Sequence, residues 1–267
     1  MCFLFIHLHS GKKWRGRSPK NVISEIELLV NDYGVKHIAF LDDNMGLSKT
    51  RMHEICNIII ENKLYFEWST PNGLRADTLD ENLLIKMKKS GCVRIGVSPE
   101  SGSQRVVNEV IGKKLDLQRV VDVVKICKKI GIKVDCFFIM GLEGETKKDI
   151  EKTIGFARRL KKLGASGLNM AVATPFRGTK LYEQFMKKGY LPEGFDAFSI
   201  FRQDYYVGTT EFTSNELAEF KNRADRVNEF PFDYIKFMTL VLFRDPLRFF
   251  RLAYSTALSK FKFWGDD

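Results

Sequence analysis

Five short stretches of this chain combine carboxylates, amides, cations and glycines in ways that could hold a small polar ligand. They are Asp42-Asp43-Asn44, Asn72-Gly73-Leu74-Arg75, Ser98-Pro99-Glu100-Ser101-Gly102, Gly141-Leu142-Glu143-Gly144-Glu145 and Thr174-Pro175-Phe176-Arg177-Gly178-Thr179. Carboxylates pair with an ammonium and accept from hydroxyls. Glycine lets backbone approach a flat group. Together the stretches suit a ligand bearing an ammonium, hydroxyls and a planar base. Singly, each is ordinary turn chemistry, since Asx and glycine are turn residues whatever the function. His7 and His9 alternate and could share one strand face, but two imidazoles make a poor metal site. The run Lys12-Lys13-Trp14-Arg15-Gly16-Arg17 reads either as a solvated loop or as a grip on phosphate or nucleic acid.

The elements around these stretches give them a common address. Each follows a strand pattern and precedes a helical one. Strands are expected at residues 35–41, 66–70, from Val93 onward, 133–140 and 168–172. The run at 133–140 is apolar at nearly every position towards its end, as for a strand covered on both sides. Helices are expected after Ser18-Pro19, Ser48, the capping-box spacing Thr78-Leu79-Asp80-Glu81, Asp116 and Thr146. Gly34, Gly91, Gly131 and Gly164 suit the left-handed residue that ends a helix. Gly96 and Gly102 leave room for a backbone or a ligand to come close.

Strands alternating with helices imply right-handed βαβ units and a parallel sheet. A sixth strand is expected in the first residues. The fold expected is α/β, a partial (β/α)6 TIM-like barrel with a C-terminal helical extension. A doubly wound sheet is the alternative, because strand order is not legible in one sequence. Residues 1–182 form the expected core. Residues 183–267 form an accessory part, irregular to about 213 and helical beyond, with Asp245-Pro246 as a helix start and an aromatic-rich composition. That part reads as a layer packed on the barrel or as a basic amphipathic surface for a membrane or partner. In a barrel, the ligand site lies at the C-terminal ends of the strands, where all five stretches fall.

Composition bounds the rest. The 267 residues are 44% hydrophobic, enough for one large α/β domain or two small ones. The net charge of +10 suits nucleic acid, anionic lipid or an anionic cofactor, or simply a lysine-rich solvated surface. Five cysteines, an odd count, four of them in apolar elements, fit buried thiols in a reducing compartment. No signal peptide is visible, and the longest apolar run, residues 235–243, is too short to span a bilayer. These readings place the protein in the cytoplasm.

At this point the motifs meet a family. Arg17-Ser18-Pro19, Phe40-Leu41-Asp42-Asp43-Asn44, Asn72-Gly73-Leu74-Arg75-Ala76, Pro99-Glu100-Ser101-Gly102-Ser103-Gln104, Met140-Gly141-Leu142-Glu143-Gly144-Glu145-Thr146 and Pro175-Phe176-Arg177-Gly178-Thr179 resemble, in order, segments of the radical SAM superfamily. The likeness is to the branch usually fused to a cobalamin-binding domain and covers about residues 5–185. It implies a partial barrel holding S-adenosylmethionine across its open top, reductively cleaved in the intact enzyme to a 5′-deoxyadenosyl radical. It further implies that Asp42, Asp43 and Asn44 lie by the methionyl amino group and that Glu100, with Ser98, meets the ribose hydroxyls. Lys113 would meet the methionyl carboxylate, and Met140 and Gly141 would give backbone contacts to adenine.

The sequence departs from the family pattern in three places. The family holds a 4Fe-4S cluster on Cys-x3-Cys-x2-Cys, thiolates being the ligands such clusters need. Aligned through Ile6-His7-Leu8-His9-Ser10-Gly11, the third cysteine falls at Leu4 and the second at Met1, and Cys2 is out of register. Glu143 stands where the family commonly has proline. The cobalamin-binding region is absent, so cobalamin would belong to an N-terminal domain. The expectation is therefore the C-terminal part of a longer radical SAM enzyme. Its partners would be the small cosubstrate and a companion domain or chain carrying the cluster cysteines. The alternatives are a non-catalytic remnant that still binds S-adenosylmethionine, and an unrelated β/α-barrel enzyme acting on a phosphorylated substrate. Against the last, no Walker or dinucleotide glycine loop is present.

Overall fold

A computed structural model describes residues 14–201, 206–228 and 245. Packing divides the chain into two units, Met1–Val227 and Asn228–Asp267. All the described helices and strands lie in the first unit, and they alternate. They run α1 (Pro19–Glu27), β1 (His37–Ala39), α2 (Lys49–Glu61), β2 (Glu67–Leu74), α3 (Glu81–Lys89), β3 (Cys92–Glu100), α4 (Leu117–Ile130), β4 (Lys133–Met140), α5 (Lys147–Leu163) and β5 (Gly167–Val172). Then come α6 (Lys180–Lys188), α7 (Phe198–Phe201) and α8 (Ser214–Asp225).

Local chemistry sets most of the boundaries. Ser18 accepts from Asn21 N with Pro19 behind it, Ser48 from Arg51 N, Asp116 from Gln118 N and Thr146 from Asp149 N. Gly131 and Gly164 end α4 and α5 in the left-handed conformation. One cap differs from expectation. Asp80, not Thr78, starts α3, accepting from Leu83 N at 2.8 Å, while the Thr78 hydroxyl donates to Arg75 O. Thr78 is spent on a preceding 3₁₀ turn, Ala76–Thr78, so the box has no free N-cap at that position. The first described strand is also shorter than residues 35–41.

All five strands are parallel, in the order β1-β2-β3-β4-β5. Each strand sits beside its predecessor and the order never reverses. Right-handed crossovers taken repeatedly in one direction put every connecting helix on one face of the sheet. A doubly wound sheet needs a reversal, so that alternative is out. The result is a partial barrel, convex under its helices and open on the other side. The sixth strand expected near the N-terminus lies outside the described residues.

Burial records this one-sidedness. On β4, Val134, Cys136, Phe138 and Met140 are buried against the helices, while Asp135, Phe137 and Ile139 between them are half-buried. The strand is thus not covered on both sides, as its apolar run suggested; its second face lines the concave interior. That interior is polar near the N-terminal ends, where Arg94 pairs with Asp135 at 3.3 Å and His37 meets the Ser69 hydroxyl at 3.0 Å. Higher up, Phe137 lies over Gly96 and Gly73; a Cβ on Gly96 would come within 2.5 Å of its ring. The helix side carries the main core, with Trp68, Met52, Ile55, Leu83, Leu84, Ile95 and Ile154 fully buried. Trp68 also donates to Ser90 O at 2.9 Å, so its one polar atom is satisfied.

Candidate functional site

Parallel strands deliver their C-terminal ends to one edge of the sheet. Leu74, Glu100, Met140 and Val172 close β2 to β5 there. The turn after β1 is tied to the same edge, because the Asn72 amide donates to Leu41 O at 2.8 Å. Asp42 and Asp43 are exposed beside it, and Asn44 is half-buried.

The tightest group of expected site residues is at the end of β3. Lys113 Nζ donates to Ser98 O at 2.5 Å and to Glu100 Oε1 at 2.7 Å. The Lys113 side chain is only 2% exposed, and these two acceptors compensate its burial. Glu100 has φ of 66°, a left-handed conformation that a non-glycine residue adopts at a cost. Arg75 adds a second cation, donating to both oxygens of Asp77 and to Lys113 O. Its guanidinium holds the Asp77 carboxyl below the usual range, burial pulling weakly the other way.

The expected adenine side is built differently. Met140 O accepts from Ala173 N at 2.8 Å, and Gly141 N donates to Glu145 Oε2 at 2.7 Å. Leu142 N donates to the same oxygen at 3.2 Å. The Met140 side chain faces the helices, and Leu217 of α8 lies against Gly141, close enough that an added Cβ would meet it at 2.9 Å. The groups left for a ligand here are the second lone pair of Met140 O and the Gly141 carbonyl. No hydrogen bond joins residues 42–44 to Glu100 or Gly141 in the described structure; the aspartates share the rim rather than a contact.

Three residues central to this edge carried no role in the sequence reading: Glu145, Asp149 and Arg105. Glu145 is fully buried, and burial pushes its carboxyl up to about 7 although the Leu142 and Gly141 amides pull it down. Burial pushes the Asp149 carboxyl up as well, but hydrogen bonds from Ser103, Arg105 and Thr146 outweigh it and hold the group well below the usual carboxylate range. The signal for Asp149 was its place three residues after Thr146, a capping-box position. Nothing in periodicity marks Glu145 or Arg105.

The two glycines expected to leave room for a backbone or a ligand each have a backbone close by, that of Gly73 at Gly96 and that of α5 at Gly102. Gly96 receives the Phe137 ring, and Gly102 is pressed on α5, where a Cβ would sit 2.5 Å from Lys152 O and 2.7 Å from Thr153 Cα. Both of these α5 neighbours are backbone and cannot step aside. Gly102→Ala is therefore expected to cost about 1–3 kcal/mol of stability, read as a lower denaturation midpoint at an unchanged slope.

The rim carries more acceptors than donors. Asn44 Oδ1, Glu143 Oε2 and Glu145 Oε1 are buried without a hydrogen-bond partner. An ammonium, sugar hydroxyls and an exocyclic amine are donors that such a rim would take, so an adenosyl amino acid fits the chemistry. An iron-sulfur cluster does not fit the described thiols. Cys56, Cys92, Cys127 and Cys136 are buried, and burial raises all four, Cys127 and Cys136 to about 12. They are neutral thiols in the core, not thiolates at the rim. Among the described residues no group of three His, Cys, Asp or Glu could hold a metal ion. None of their helices is long and apolar enough to cross a membrane.

A half-barrel of parallel strands with a polar C-terminal rim defines a TIM-barrel-like α/β class. Within that class the chain belongs to the radical SAM superfamily, whose family description matches residues 1–157. It is 39% identical over 176 residues to an uncharacterized methyltransferase of Pyrococcus horikoshii, covering 66% of this chain and 37% of that protein. It is 29% identical over 227 residues to the cytidylyl-2-hydroxyethylphosphonate methyltransferase of Streptomyces wedmorensis, covering 81% and 41%. Among solved structures, it resembles the radical S-adenosylmethionine methyltransferase TsrM of Kitasatospora setae, solved with tryptophan and a SAM analogue. The TM-score there is 0.55 at 14% identity, covering 78% of this chain and 40% of that one. The chain thus spans about two-fifths of the length of these relatives.

Proposed function

We propose that this chain is the cosubstrate-holding part of a radical SAM enzyme, binding S-adenosylmethionine at the C-terminal rim of the half-barrel. The observation that carries the reading is the Ser98–Glu100–Lys113 group: a carboxylate held in a left-handed conformation at a strand end and backed by a buried lysine. Glu100 is 26% exposed and keeps Oε2 free of any described bond, so it can accept from a ribose hydroxyl while Oε1 stays on Lys113. Lys113 is thereby spent on Glu100 in the free protein. For it to meet the methionyl carboxylate it would have to turn from Ser98 O. Asp42, Asp43 and the orphan Asn44 Oδ1 would receive the ammonium, and the Met140 and Gly141 carbonyls the adenine amine.

In the intact enzyme a 4Fe-4S cluster would supply the electron that cleaves the sulfonium. The described thiols do not suit it, so no redox step is assigned to them. We place that cluster, and any cobalamin, on a companion domain or chain. The methyltransferase names of the relatives favour methyl transfer as the reaction class. The four neutral, unpaired thiols support a cytoplasmic setting. They also suit the second reading, a protein that binds S-adenosylmethionine without redox chemistry.

Calorimetric titration of the full chain with S-adenosylmethionine tests the cosubstrate site. Glu100→Ala is expected to weaken binding by about 1–3 kcal/mol, the range for removing a charged hydrogen-bond acceptor. Unchanged affinity would remove Glu100 from the site, and no binding by the wild-type chain would remove the reading.

A further inference from the structure

The two turns proposed to flank the adenosyl group do not stand independently. The β3 turn, residues 100–105, and the β4 turn, residues 141–146, are bolted to each other and to α5 from behind. Arg105 is rooted in the first turn, and its Nη2 donates to Gly144 O of the second at 2.8 Å and to Asp149 Oδ2. The other oxygen of Asp149 accepts from the Ser103 hydroxyl at 2.6 Å. Thr146 N and Oγ1 donate to Asp149 Oδ2 at 3.2 and 2.7 Å. Deeper still, the Ser101 and Thr153 hydroxyls meet at 2.9 Å, and Gly102 N donates to Thr153 Oγ1 at 3.0 Å.

This hub is not a ligand site. Both Asp149 oxygens are partnered by protein donors, Lys152 Nζ also standing 3.7 Å from Oδ1, and the side chain is 4% exposed. A buried carboxylate is a poor source of net stability, because desolvation offsets most of its attraction. What the arrangement does achieve is spacing. One planar guanidinium reaches a carbonyl of one turn and a carboxylate at the head of α5, while that carboxylate holds a serine of the other turn. Both bonds leave one nitrogen, Nη2, so a lysine ammonium that reached the same point could make them too.

Resting on the cosubstrate reading above, we propose that Arg105, acting through Asp149, is a positioning residue that sets the distance between the ribose-side and adenine-side turns. A ligand touching both turns needs that distance; a ligand touching one does not. Adenosine spans both, whereas adenine engages only the β4 turn.

Equilibrium dialysis with adenosine and adenine, on the full chain and on Arg105→Ala, Arg105→Lys and Ser103→Ala, tests this. Wild-type protein is expected to prefer adenosine over adenine by about tenfold or more, and Arg105→Ala to lower adenosine affinity by about fivefold or more while adenine changes by less than about twofold. Arg105→Lys should recover part of the adenosine affinity and Ser103→Ala should be intermediate. Arg105 is 40% exposed, so its truncation is tolerable to the fold; should Arg105→Ala fail to fold by circular dichroism, the serine variant carries the test. An unchanged adenosine-to-adenine ratio, or equal losses for both ligands, overturns the positioning role. A wild-type chain that binds neither ligand overturns the cosubstrate reading itself, and this inference with it.

Discussion

Asp149→Ala is expected to lower stability by about 3 kcal/mol, or roughly 10 °C in melting temperature for a chain of this size. The carboxylate is 4% exposed and holds Ser103, Arg105 and Thr146 together. Removing it strands a buried serine hydroxyl and the Thr146 amide, each a lost bond of about 1–3 kcal/mol. Arg105 rehydrates, since it is 40% exposed, which keeps the loss below the upper range for broken buried ion pairs. The pH profile separates this from a simple packing defect. Its folded-state value lies below the ordinary 3.8, so its contribution is fully present above about 3.8 and is lost as pH falls below it. The wild-type and variant stability curves should therefore run parallel at neutral pH and converge towards strong acid. Parallel curves down to pH 2 would show that the carboxylate is not held ionised by its partners.

The parts of this molecule that local chemistry decides were legible in the sequence. Ser18, Ser48, Asp116 and Thr146 cap where their side chains say they should, and Gly131 and Gly164 close their helices. The strand-turn-helix rhythm fixes which residues reach the C-terminal edge, and Ser98, Glu100 and Lys113 do converge. What periodicity does not encode is partner choice across long separations. Arg105 and Gly144 are 39 residues apart, and Ser103 and Asp149 are 46 apart. Nor does it say that Gly102 yields to Lys152 rather than to a ligand, because an empty Cβ position looks the same whichever neighbour fills it. Strand order stood outside the sequence for the same reason. It was settled only by the pairing of β1 through β5 in succession.

Glu145 offers the second large effect, and its sign is opposite to that of Asp149. Its folded-state value, about 7, lies above the ordinary 4.5 because burial outweighs the two amides that donate to it. The native state therefore binds the proton more tightly than the unfolded chain. Stability should fall as pH rises from about 4.5 to 7 and stay lowered above that, by about 3 kcal/mol from this group alone. Glu145→Gln keeps an oxygen for Gly141 N and Leu142 N, since a single oxygen, Oε2, serves both. Its amide takes the place of the partnerless Oε1 and leaves two N–H donors unmatched where a protonated carboxyl leaves one O–H, a small cost that does not vary with pH. The variant should lie slightly below wild type near pH 4.5 and exceed it above pH 7, with the slope between those limits removed. Chemical denaturation at pH 5, 6, 7 and 8 reads this directly. A variant less stable than wild type at pH 8 would mean that the ionised carboxylate stabilises the turn, and that the strength of the two amide bonds exceeds the desolvation they oppose.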